Sequence, residues 1–442
     1  MYRSRIVIVG AGFAGFHAAR TLARKAGAET EIVLVNPTDY SLYLPLLPEV
    51  SAGVLDPRRI AVPLTASLRG VRVVLGTVDH VDVPAGRVRY RDPEDVHREL
   101  DYDRLVLAVG GVNKILPIPG VVEHSHGFRG IPEAVYLRDH VTRQIELAAE
   151  AESAAERAAR CTFVVVGAGY TGTEVAATGQ LLTRSLTRRH PRLRDQPVRW
   201  LLLDLAPRVL PELSARLSAS AERVLRRRGV EVRTGASVQE ATRDGVLLTD
   251  GEFVPTRTIV WGAGVRPDPL ASALGLETVR GRILVDENLA VPGHPEIFAC
   301  GDAAAVPDLT RDGELCAMTA QHAERQGRAV ARNVAASLGY GKPRPYKHHD
   351  LGLVVDLGGM QAAAQPLGVP LTGFPAKVVT RGYHLMAMPA NRIRTAVDWF
   401  LDAVLRRQSV QFGLVRSPAV PLDSADPELP ARIPAADRPA SP

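Results

Sequence analysis

The sequence predicts an α/β protein built on two parallel sheets, each of which begins with a strand, a glycine-rich turn and a helix. Residues 6–9 and 163–166 are apolar runs typical of buried strands. The glycines that follow have the same spacing: Gly10, Gly12 and Gly15 after the first run, and Gly167, Gly169 and Gly172 after the second. In this pattern the first glycine turns the chain, the second lets a pyrophosphate approach the backbone, and the third packs the helix against the strand. We therefore predict two Rossmann-like dinucleotide-binding domains.

Length and composition agree with a globular protein of more than one domain. The chain has 442 residues, too many for one ordinary hydrophobic core, which favours two or three domains. It contains no run of about eighteen apolar residues, and its first strand begins near Ile6, which leaves no room for a secretory signal. We therefore expect a cytoplasmic protein.

The cysteines are not arranged as a redox centre. The chain has three, Cys161, Cys300 and Cys316, and no two of them are spaced as Cys-x-x-Cys. This pattern favours neither a structural disulfide set nor a dithiol that relays electrons. No metal site is predicted either.

The chain is basic, with a formal net charge of +6 and a pI of about 9.4. Such a charge is compatible with nucleic acid, an anionic membrane surface or anionic cofactors. One cluster of arginines follows the second glycine turn: Arg184, Arg188, Arg189, Arg192 and Arg194. No aromatic side chains are interleaved with them, so we interpret the cluster as a solvated helix end and expect no nucleic-acid partner.

The residues that end the second strand of each domain predict how the riboses are held. An acidic residue about twenty positions beyond the glycines normally accepts from ribose hydroxyls. Asn36 occupies this place in the first domain; its amide oxygen can accept, but it departs from the pattern. In the second domain Asp204 would accept from a 2′-hydroxyl and repel a 2′-phosphate, which favours NADH over NADPH. Arg208 lies close enough to weaken that preference.

A third strand-like run, residues 296–300, ends at Gly301 and Asp302 and precedes a helix expected from about Met318 to Ser337. An apolar strand ending in Gly-Asp ahead of a helix is similar to the second flavin motif of the two-dinucleotide flavoprotein disulfide reductase superfamily. In that superfamily the aspartate bonds the ribityl chain of the flavin. The alternative role for Asp302 is a helix or turn cap.

Within that superfamily, several segments resemble the type II NADH dehydrogenases: residues 36–53, 172–174, 261–265 and 320–327. The resemblance spans the chain to about residue 416. It implies that FAD occupies the first domain and NADH the second, that the nicotinamide stacks on the flavin, and that a membrane quinone takes the electrons. The disulfide reductases carry a redox cysteine pair after the first nucleotide unit, and this chain has none.

The resemblance also implies the cofactor-binding residues. For FAD they are Gly10, Gly12, Gly15, Asn36, Gly110, Asp302 and Ala320, and for NADH they are Gly167, Gly169, Gly172, Glu174, Asp204 and Gly264. Glu174 would project near the nicotinamide, although its alternative role is that of a first-turn acid favoured by the helix dipole.

On the acceptor side the chain departs from the family pattern of two glutamines four residues apart. Gln321 is followed at that distance by Arg325, and the next glutamine, Gln326, is one position late. One position on a helix is about 100°, so Gln326 does not simply replace the missing side chain. Arg325 either bonds a quinone oxygen or marks a different acceptor. We therefore name Glu174, Gln321 and Arg325 as the candidate catalytic residues.

The C-terminal region predicts a membrane contact. Residues 377–416 contain seven Lys or Arg and only two acidic residues, Asp398 and Asp402. An apolar stripe at helical spacing lies among them, formed by Val397, Phe400, Leu401, Val404 and Leu405, and Arg406 and Arg407 follow. Such a helix can lie in an anionic membrane interface. It can equally pack on the body of the protein or form a homodimer contact, and the resemblance favours peripheral attachment to the inner face of the cell membrane.

These observations predict the domain order. The FAD-binding domain comprises residues 1–113 and 269–340, the NADH-binding domain residues 114–268, the C-terminal domain with the membrane helix residues 341–416, and a disordered tail residues 417–442. A glycine-free segment, residues 132–160, is expected to be a long helical connection.

We therefore expect an FAD-dependent NADH:quinone oxidoreductase that pumps no protons and uses menaquinone or ubiquinone. The main alternative is an FAD-dependent NAD(P)H reductase of a soluble acceptor, such as a ferredoxin, a rubredoxin or a small oxidant. A sulfide:quinone oxidoreductase would not need the second glycine turn. A redox sensor that binds both nucleotides without turnover is a third hypothesis, from outside the enzymes.

Overall fold

The computed structural model describes residues 4–405, 410–424 and 426–429. Its chain divides into two compact units. The first contains Met1–Tyr43, Ala61–Val112 and Val265–His349, and the second contains Leu44–Ile60, Asn113–Gly264 and Asp350–Pro442. Each unit is therefore assembled from segments that are distant in the sequence.

The first unit is an α/β unit with strands and helices numbered along the chain. Its strands are β1 (Ser4–Val9), β2 (Thr30–Asn36), β3 (Tyr40–Leu42), β4 (Ala61–Pro63), β5 (Arg72–Leu75), β6 (Thr77–Asp82), β7 (Arg87–Arg91), β8 (His97–Asp101), β9 (Arg104–Leu107), β10 (Gly111–Asn113), β18 (Val265–Pro267), β19 (Thr278–Val279), β20 (Arg282–Leu284), β21 (Ala290–Val291), β22 (His294–Ala299) and β23 (Ala304–Ala305). Its helices are α1 (Phe13–Lys25), α3 (Leu64–Ser67), α9 (Pro269–Ala273) and α10 (Ala320–Ser337).

A six-stranded sheet in the order β21-β22-β9-β1-β2-β5 forms the centre of the first unit. Strand β1 pairs in parallel with β2, where Ile6 faces Ile32, and with β9, where Ile6 faces Arg104. The residues of β1 from Ile6 onward are buried, because helices cover a parallel sheet on both faces. The carboxyl ends of β1 and β22 therefore meet at one edge, where the first glycine turn and the Gly-Asp turn lie.

The second unit is also α/β. Its helices are α2 (Leu47–Ser51), α4 (Val121–His124), α5 (Ile131–Glu150), α6 (Ala154–Arg160), α7 (Tyr170–Thr187), α8 (Ala215–Arg227), α11 (Gly373–Ala387) and α12 (Arg392–Val404). Its strands are β11 (Thr162–Val166), β12 (Arg199–Asp204), β13 (Val230–Thr234), β14 (Val238–Ala241), β15 (Gly245–Leu248), β16 (Phe253–Pro255), β17 (Thr258–Trp261), β24 (Val354–Asp356), β25 (Ala362–Ala364) and β26 (Leu371–Thr372).

A four-stranded sheet in the order β13-β12-β11-β17 carries the second glycine turn. Its strands pair in parallel, with Val164 of β11 between Leu201 of β12 and Ile259 of β17. Two antiparallel three-stranded sheets, β14-β15-β16 and β24-β25-β26, complete the unit. Both units thus have the strand–glycine turn–helix start that the sequence predicts.

The helical connection before the second sheet is two helices rather than one. Helix α5 ends at Glu150, and α6 begins at Ala154 after the side chain of Ser153 accepts a hydrogen bond from the Glu156 N–H. An N-cap serine inside an alanine-rich run is enough to start a new helix, because it satisfies a free backbone donor. The change of unit occurs at residues 112–113 and 264–265, whereas the sequence places the domain boundaries at 113 and 268.

The expectation of a disordered tail from residue 417 is corrected for the residues that the structure describes. Ala419, Val420 and Leu422 are buried, and Leu422 lies in a core cluster with Val164 and Leu201. The main chain of this segment is also bound within the second unit, because the Asn113 side chain donates to the Leu422 carbonyl at 3.1 Å. The sequence signal of high Pro and Ala content missed these few apolar residues, which insert singly. Residues 430–442 lie outside the described residues.

Four residues of the predicted apolar stripe, Val397, Phe400, Leu401 and Val404, lie on helix α12 and are exposed, whereas Leu405 follows the end of the helix. Phe400 is 65% exposed and Val404 58%, and the helix ends at Val404. Arg406 and Arg407 lie outside the described residues. Across the part of the chain that the structure describes, no helix has both the length and the apolar content to cross a membrane.

We predict that Leu422→Ala lowers the free energy of unfolding of the second unit by about 3 kcal/mol, because a fully buried leucine leaves a cavity when it is shortened. Thermal unfolding followed by circular dichroism measures the change. Leu429→Ala is the control, since Leu429 is 38% exposed. Equal melting temperatures for wild type and Leu422→Ala would contradict the packing of the tail.

Candidate active site

The first glycine turn has the geometry of a phosphate cradle. Gly10 has a φ of +93°, and a Cβ there would lie 2.5 Å from the Ala108 carbonyl oxygen. A Cβ on Gly15 would lie 1.7 Å from the Gly10 oxygen, so α1 approaches β1 only because this residue is glycine. A Cβ on Gly12 would meet no atom within 4 Å. The turn is therefore closed on the protein side and open where a pyrophosphate would approach the start of α1.

The second glycine turn repeats this geometry in the other unit. Gly167 has a φ of +102°, and its Cβ would lie 2.2 Å from the Gly262 oxygen. A Cβ on Gly172 would lie 1.8 Å from the Gly167 oxygen, whereas one on Gly169 would meet nothing within 4 Å. Gly169 is the N-cap of α7 and offers no side chain to the first N–H groups of the helix. Both turns thus fit a dinucleotide pyrophosphate.

The residues at the ends of β2 and β12 brace these turns in the same way. The Asn36 Oδ1 accepts from the Ala11 N–H at 2.7 Å, and its Nδ2 donates to the Thr38 carbonyl at 3.0 Å. In the second unit Asp204 accepts from the Ala168 N–H at 2.5 Å and from the Ala206 N–H at 2.7 Å. Each side chain ties its strand end to the second residue of the glycine turn. Their contact with a ribose stays a prediction.

Two further predicted glycines lie in open turns. Gly110 has a φ of +76° and Gly264 a φ of +101°, and a Cβ on either would meet nothing within 4 Å. Left-handed backbone of this kind favours glycine, and the open space leaves the main chain accessible to a ligand. Gly264 follows β17 in the second unit and Gly110 follows β9 in the first.

The Gly-Asp turn is held against α10. The Gly301 N–H donates to the Gln326 Oε1 at 2.8 Å, and Gln326 is 1% exposed. A Cβ on Gly327 would lie 2.1 Å from the Ala14 oxygen, so α1 and α10 cross at close range. Gln326 therefore points inward and fixes the turn that carries Asp302. This orientation agrees with the expectation that it does not replace the missing second glutamine.

Helix α10 begins at Ala320, two residues later than expected. The Thr319 hydroxyl caps it by accepting from the His322 N–H at 3.3 Å. Gln321 and Arg325 lie one helical turn apart and are both partly exposed. The Arg325 guanidinium donates to the His349 carbonyl. The structure thus places the predicted FAD and acceptor residues Asp302, Ala320, Gln321 and Arg325 at one end of the first unit's sheet.

Glu174 lies in a cluster of buried charged groups in the second unit. Its Oε1 accepts from the Asp356 N–H at 2.8 Å. The Asp356 carboxylate forms an ion pair with the Lys377 ammonium, and the Lys377 Nζ lies 4.0 Å from the Glu49 Oε1. Glu49, Asp356 and Lys377 are each less than 10% exposed. Two carboxyl groups thus share one buried lysine, and the third, that of Glu174, is joined to them through the Asp356 N–H.

Burial changes the acidity of this cluster. It raises the pKa of Glu49 to about 7, with a further increase from the Asp356 charge and a decrease from Lys377 and from the Trp399 hydrogen bond. Burial also raises the pKa of Glu174 well above its usual value. His384 is buried next to Asp356 and Lys377, and desolvation lowers its pKa to about 4. The cluster therefore holds protons at neutral pH that exposed carboxyl groups would have lost.

Sequence reasoning named Glu174 but missed Glu49, Asp356 and Lys377. Asp356 ends a short strand, and Lys377 stands in an otherwise apolar turn of α11. No local motif singles out either residue, because their meeting with Glu174 joins segments that are far apart in the chain. Glu49 falls within the segment 36–53 that carries the family resemblance, and this was the one available signal.

Two glycine turns with an open second glycine, followed by a Gly-Asp turn, define the class of two-dinucleotide flavoproteins. Residues 4–327 match the pyridine nucleotide-disulphide oxidoreductase family. Within the part of the chain that the structure describes, the three cysteines are buried and free. The chain thus has the fold of this class without a disulfide.

The chain belongs to the type II NADH:quinone oxidoreductases. It is 32% identical over 424 residues to the enzyme Ndh of Mycobacterium tuberculosis, and the match covers 92% of this chain and 89% of that protein. It is 31% identical over 413 residues to NdhA of the same organism, with 90% and 86% covered. The type II NADH:quinone oxidoreductase of Staphylococcus aureus is 29% identical over 383 residues, with 84% and 92% covered. The resemblance seen in the sequence is therefore confirmed.

Solved structures show the same fold. NDH2 from Plasmodium falciparum in complex with NADH superimposes with a TM-score of 0.85 at 16% identity, over 92% of this chain and all of that one. An NAD-dependent persulfide reductase from A. fulgidus gives a TM-score of 0.64 at 25% identity, over 81% of this chain and 63% of that one. The predicted α/β class with two Rossmann-like domains is confirmed.

We predict that Glu174→Gln becomes more stable relative to wild type as the pH rises from 5 to 8. The folded-state pKa of Glu174 lies above the unfolded value, so the stability present below the unfolded pKa is lost as the pH rises through the folded pKa. A difference of one unit between the folded and unfolded pKa changes the free energy of unfolding by about 1.4 kcal/mol. Thermal unfolding at several pH values measures the effect. The exposed Glu240→Gln is the control, and a pH-independent difference for Glu174→Gln would contradict the burial of this carboxyl group.

Proposed function

We propose that this protein oxidises NADH and reduces a quinone, with FAD bound in the first unit and NADH in the second. The observation that carries the proposal is the pair of glycine turns, each open only beside its second glycine, in a chain of this family. Bound FAD would take hydride from NADH and deliver two electrons to the quinone. The hydride brings one of the two protons of the quinol, and solvent supplies the other. The reaction includes no proton translocation.

The chain's own groups hold the two nucleotides. The backbone at Gly12 and the first N–H groups of α1 bind the FAD pyrophosphate, and Asp302 bonds the ribityl chain. The backbone at Gly169 and the start of α7 bind the NADH pyrophosphate. The carboxylate of Asp204 repels a 2′-phosphate, so NADH is preferred over NADPH.

Quinone binding is assigned to Gln321 and Arg325 on α10. Both side chains are partly exposed and lie one turn apart, so each can donate a hydrogen bond to a quinone oxygen. A menaquinone or a ubiquinone satisfies this chemistry equally. The arginine in place of glutamine is also the one feature that favours the alternative, a soluble acceptor such as a ferredoxin, a rubredoxin or a small oxidant.

Attachment to a membrane is assigned to α11 and α12. Large apolar side chains project from both helices: Phe374 is 55% exposed, Met386 79%, Ile393 81% and Phe400 65%. Residues 377–416 carry seven cationic side chains against two acidic ones; Lys377 is buried, and the charge of the other six complements an anionic bilayer. We therefore place the protein on the inner, cytoplasmic face of the cell membrane. A homodimer contact through the same surface is the competing outcome.

Asp302→Ala is expected to lose FAD, and Gly169→Val to lose NADH binding while FAD stays bound. The valine side chain would fill the open space beside Gly169, which the pyrophosphate needs. Flavin absorbance of the purified proteins measures the first effect, and NADH titration by fluorescence the second. Gly382→Ala, in helix α11 of the second unit where a Cβ would meet nothing within 4 Å, is the control. NADH oxidation by Gly169→Val at the wild-type rate would refute the two-site assignment.

Anaerobic stopped-flow tests the proposed reaction. The purified protein is mixed with NADH and then with a soluble menaquinone or ubiquinone analogue, and flavin absorbance is followed. We expect bleaching by NADH and rapid recovery on quinone, slowed at least about tenfold in Arg325→Ala and much less in Arg325→Gln, which keeps a donor. Bleaching without recovery on any quinone would transfer the assignment to a reductase of a soluble acceptor.

A further inference from the structure

Helix α12 has two faces with different surroundings. Ile393, Val397 and Phe400 project from the outer face and are between 48% and 81% exposed. On the inner face Thr395 is fully buried and Trp399 is 4% exposed. The same helix therefore carries the proposed lipid contact on one side and packs into the second unit on the other.

Trp399 connects the inner face of α12 to a buried acid. Its indole N–H donates to the Glu49 Oε2, and the Arg381 guanidinium lies 4.8 Å from the centre of the indole ring. A second anchor of α12, the ion pair between Asp398 and Arg59, does not touch this acid. The indole contact is thus separable from the general attachment of the helix.

Glu49 belongs to the cluster that contains Glu174. The chain of contacts runs from the Trp399 N–H to the Glu49 carboxyl, from there to the Lys377 ammonium at 4.0 Å, and on to Asp356. The Asp356 N–H then donates to Glu174 at 2.8 Å. A change at Trp399 can therefore reach Glu174 through the charged contacts of Glu49, Lys377 and Asp356 and then through the Asp356 main-chain N–H, in a site that excludes water, where such contacts are strong.

The elements packed around Glu49 carry several charged and polar groups. Helix α11 contributes Lys377, Arg381 and His384, and strand β24 contributes Asp356. Helix α7 contributes Glu174, and α12 contributes Trp399 and Asp402. Asp402 and Glu49 both line a cavity of about 250 Å³. Helix α5, which also packs on α2, carries Arg138 paired with Asp139. This cavity borders the cluster.

We infer that Trp399 is a positioning residue that passes the docking state of α12 on the membrane to the buried charge cluster around Glu49 and Glu174. The inference rests on the proposed membrane attachment and quinone reduction. An N–H donated to a carboxyl group favours its ionised form, and burial favours the protonated form. When α12 is docked on the membrane, the hydrogen bond from the Trp399 indole N–H to Glu49 is kept and Glu49 stays ionised. When α12 is released, Glu49 takes up a proton from solvent.

The first test is a fluorescence titration of Trp399. The chain has three tryptophans, and the other two, Trp200 and Trp261, are each 1% exposed. The emission of wild type minus that of Trp399→Phe isolates the Trp399 signal, which we expect to titrate near pH 7 and to lose this titration in Glu49→Gln. A titration that survives in Glu49→Gln would overturn the inference.

The second test adds vesicles of phosphatidylcholine with about one part in three phosphatidylglycerol. We expect the protein to float with these vesicles and the Trp399 midpoint to fall by about one pH unit, a tenfold change in proton affinity. Vesicles of phosphatidylcholine alone should change it less. Flotation with an unmoved midpoint would overturn the coupling and leave membrane attachment intact. Failure to float would overturn both, whereas neither readout depends on quinone reduction.

The third test separates positioning from a structural role. Trp399→Phe keeps the ring beside Arg381 but removes the N–H, so we expect the acid limb of NADH:quinone activity in the vesicles to move up by about one pH unit. Trp200→Phe, which removes a buried indole N–H that is donated to the Thr183 hydroxyl and leaves both anchors of α12 in place, is the matched control and should not displace the limb. A loss of activity without a displaced limb in Trp399→Phe, or an equal displacement in Trp200→Phe, would overturn the inference.

Discussion

The structure depends on the close approach of a helix to a strand at each glycine turn. A side chain on Gly15 or Gly172 would lie only 1.7 or 1.8 Å from the main-chain oxygen of the first glycine of its own turn. Without glycine there, α1 and α7 would move away from their sheets, and their N-termini would no longer point at the turn. Helix dipole and free N–H groups then could not act together on a phosphate. Sheet, helix and nucleotide site therefore share one steric requirement in each unit.

A second constraint acts on the charged interior of the second unit. Glu49 and Asp356 lie beside a single buried lysine, and Glu174 accepts from the Asp356 N–H. So many buried carboxyl groups around one cation cost free energy unless protons or hydrogen bonds compensate. Burial raises the proton affinity of Glu49 and Glu174, and a bound proton removes the charge that is costly to bury. The C-terminal segment supplies Asp356, Lys377 and Trp399, so the segment that exposes apolar side chains outward also completes the cluster inward. Helices α11 and α12 thus contribute both to the exposed apolar surface and, through Lys377 and Trp399, to the buried cluster.

Much of the fold could be predicted, and so could the glycine turns proposed to hold the nucleotides, because both follow from local sequence patterns. The glycine spacing, the apolar strands before it and the Gly-Asp turn each lie within a few residues, and the structure places them as expected. The apolar stripe of α12 is equally local and is exposed. Gln326 shows the limit of such reasoning. Its position five residues after Gln321 excluded it as the second glutamine of the family pattern, but only the tertiary structure showed that it accepts from the Gly301 N–H.

By itself the sequence determined the two parallel sheets, their glycine turns and the class of ligand that fits them, because backbone conformation and helix start depend on neighbouring residues. Only the tertiary structure decided that residues 44–60 join the second unit, that Leu422 enters its core, and that Glu49 and Lys377 meet beside Glu174. These contacts join segments far apart in the chain. Their energy comes from burial and from charge in a site that excludes water, neither of which a residue's sequence neighbours specify.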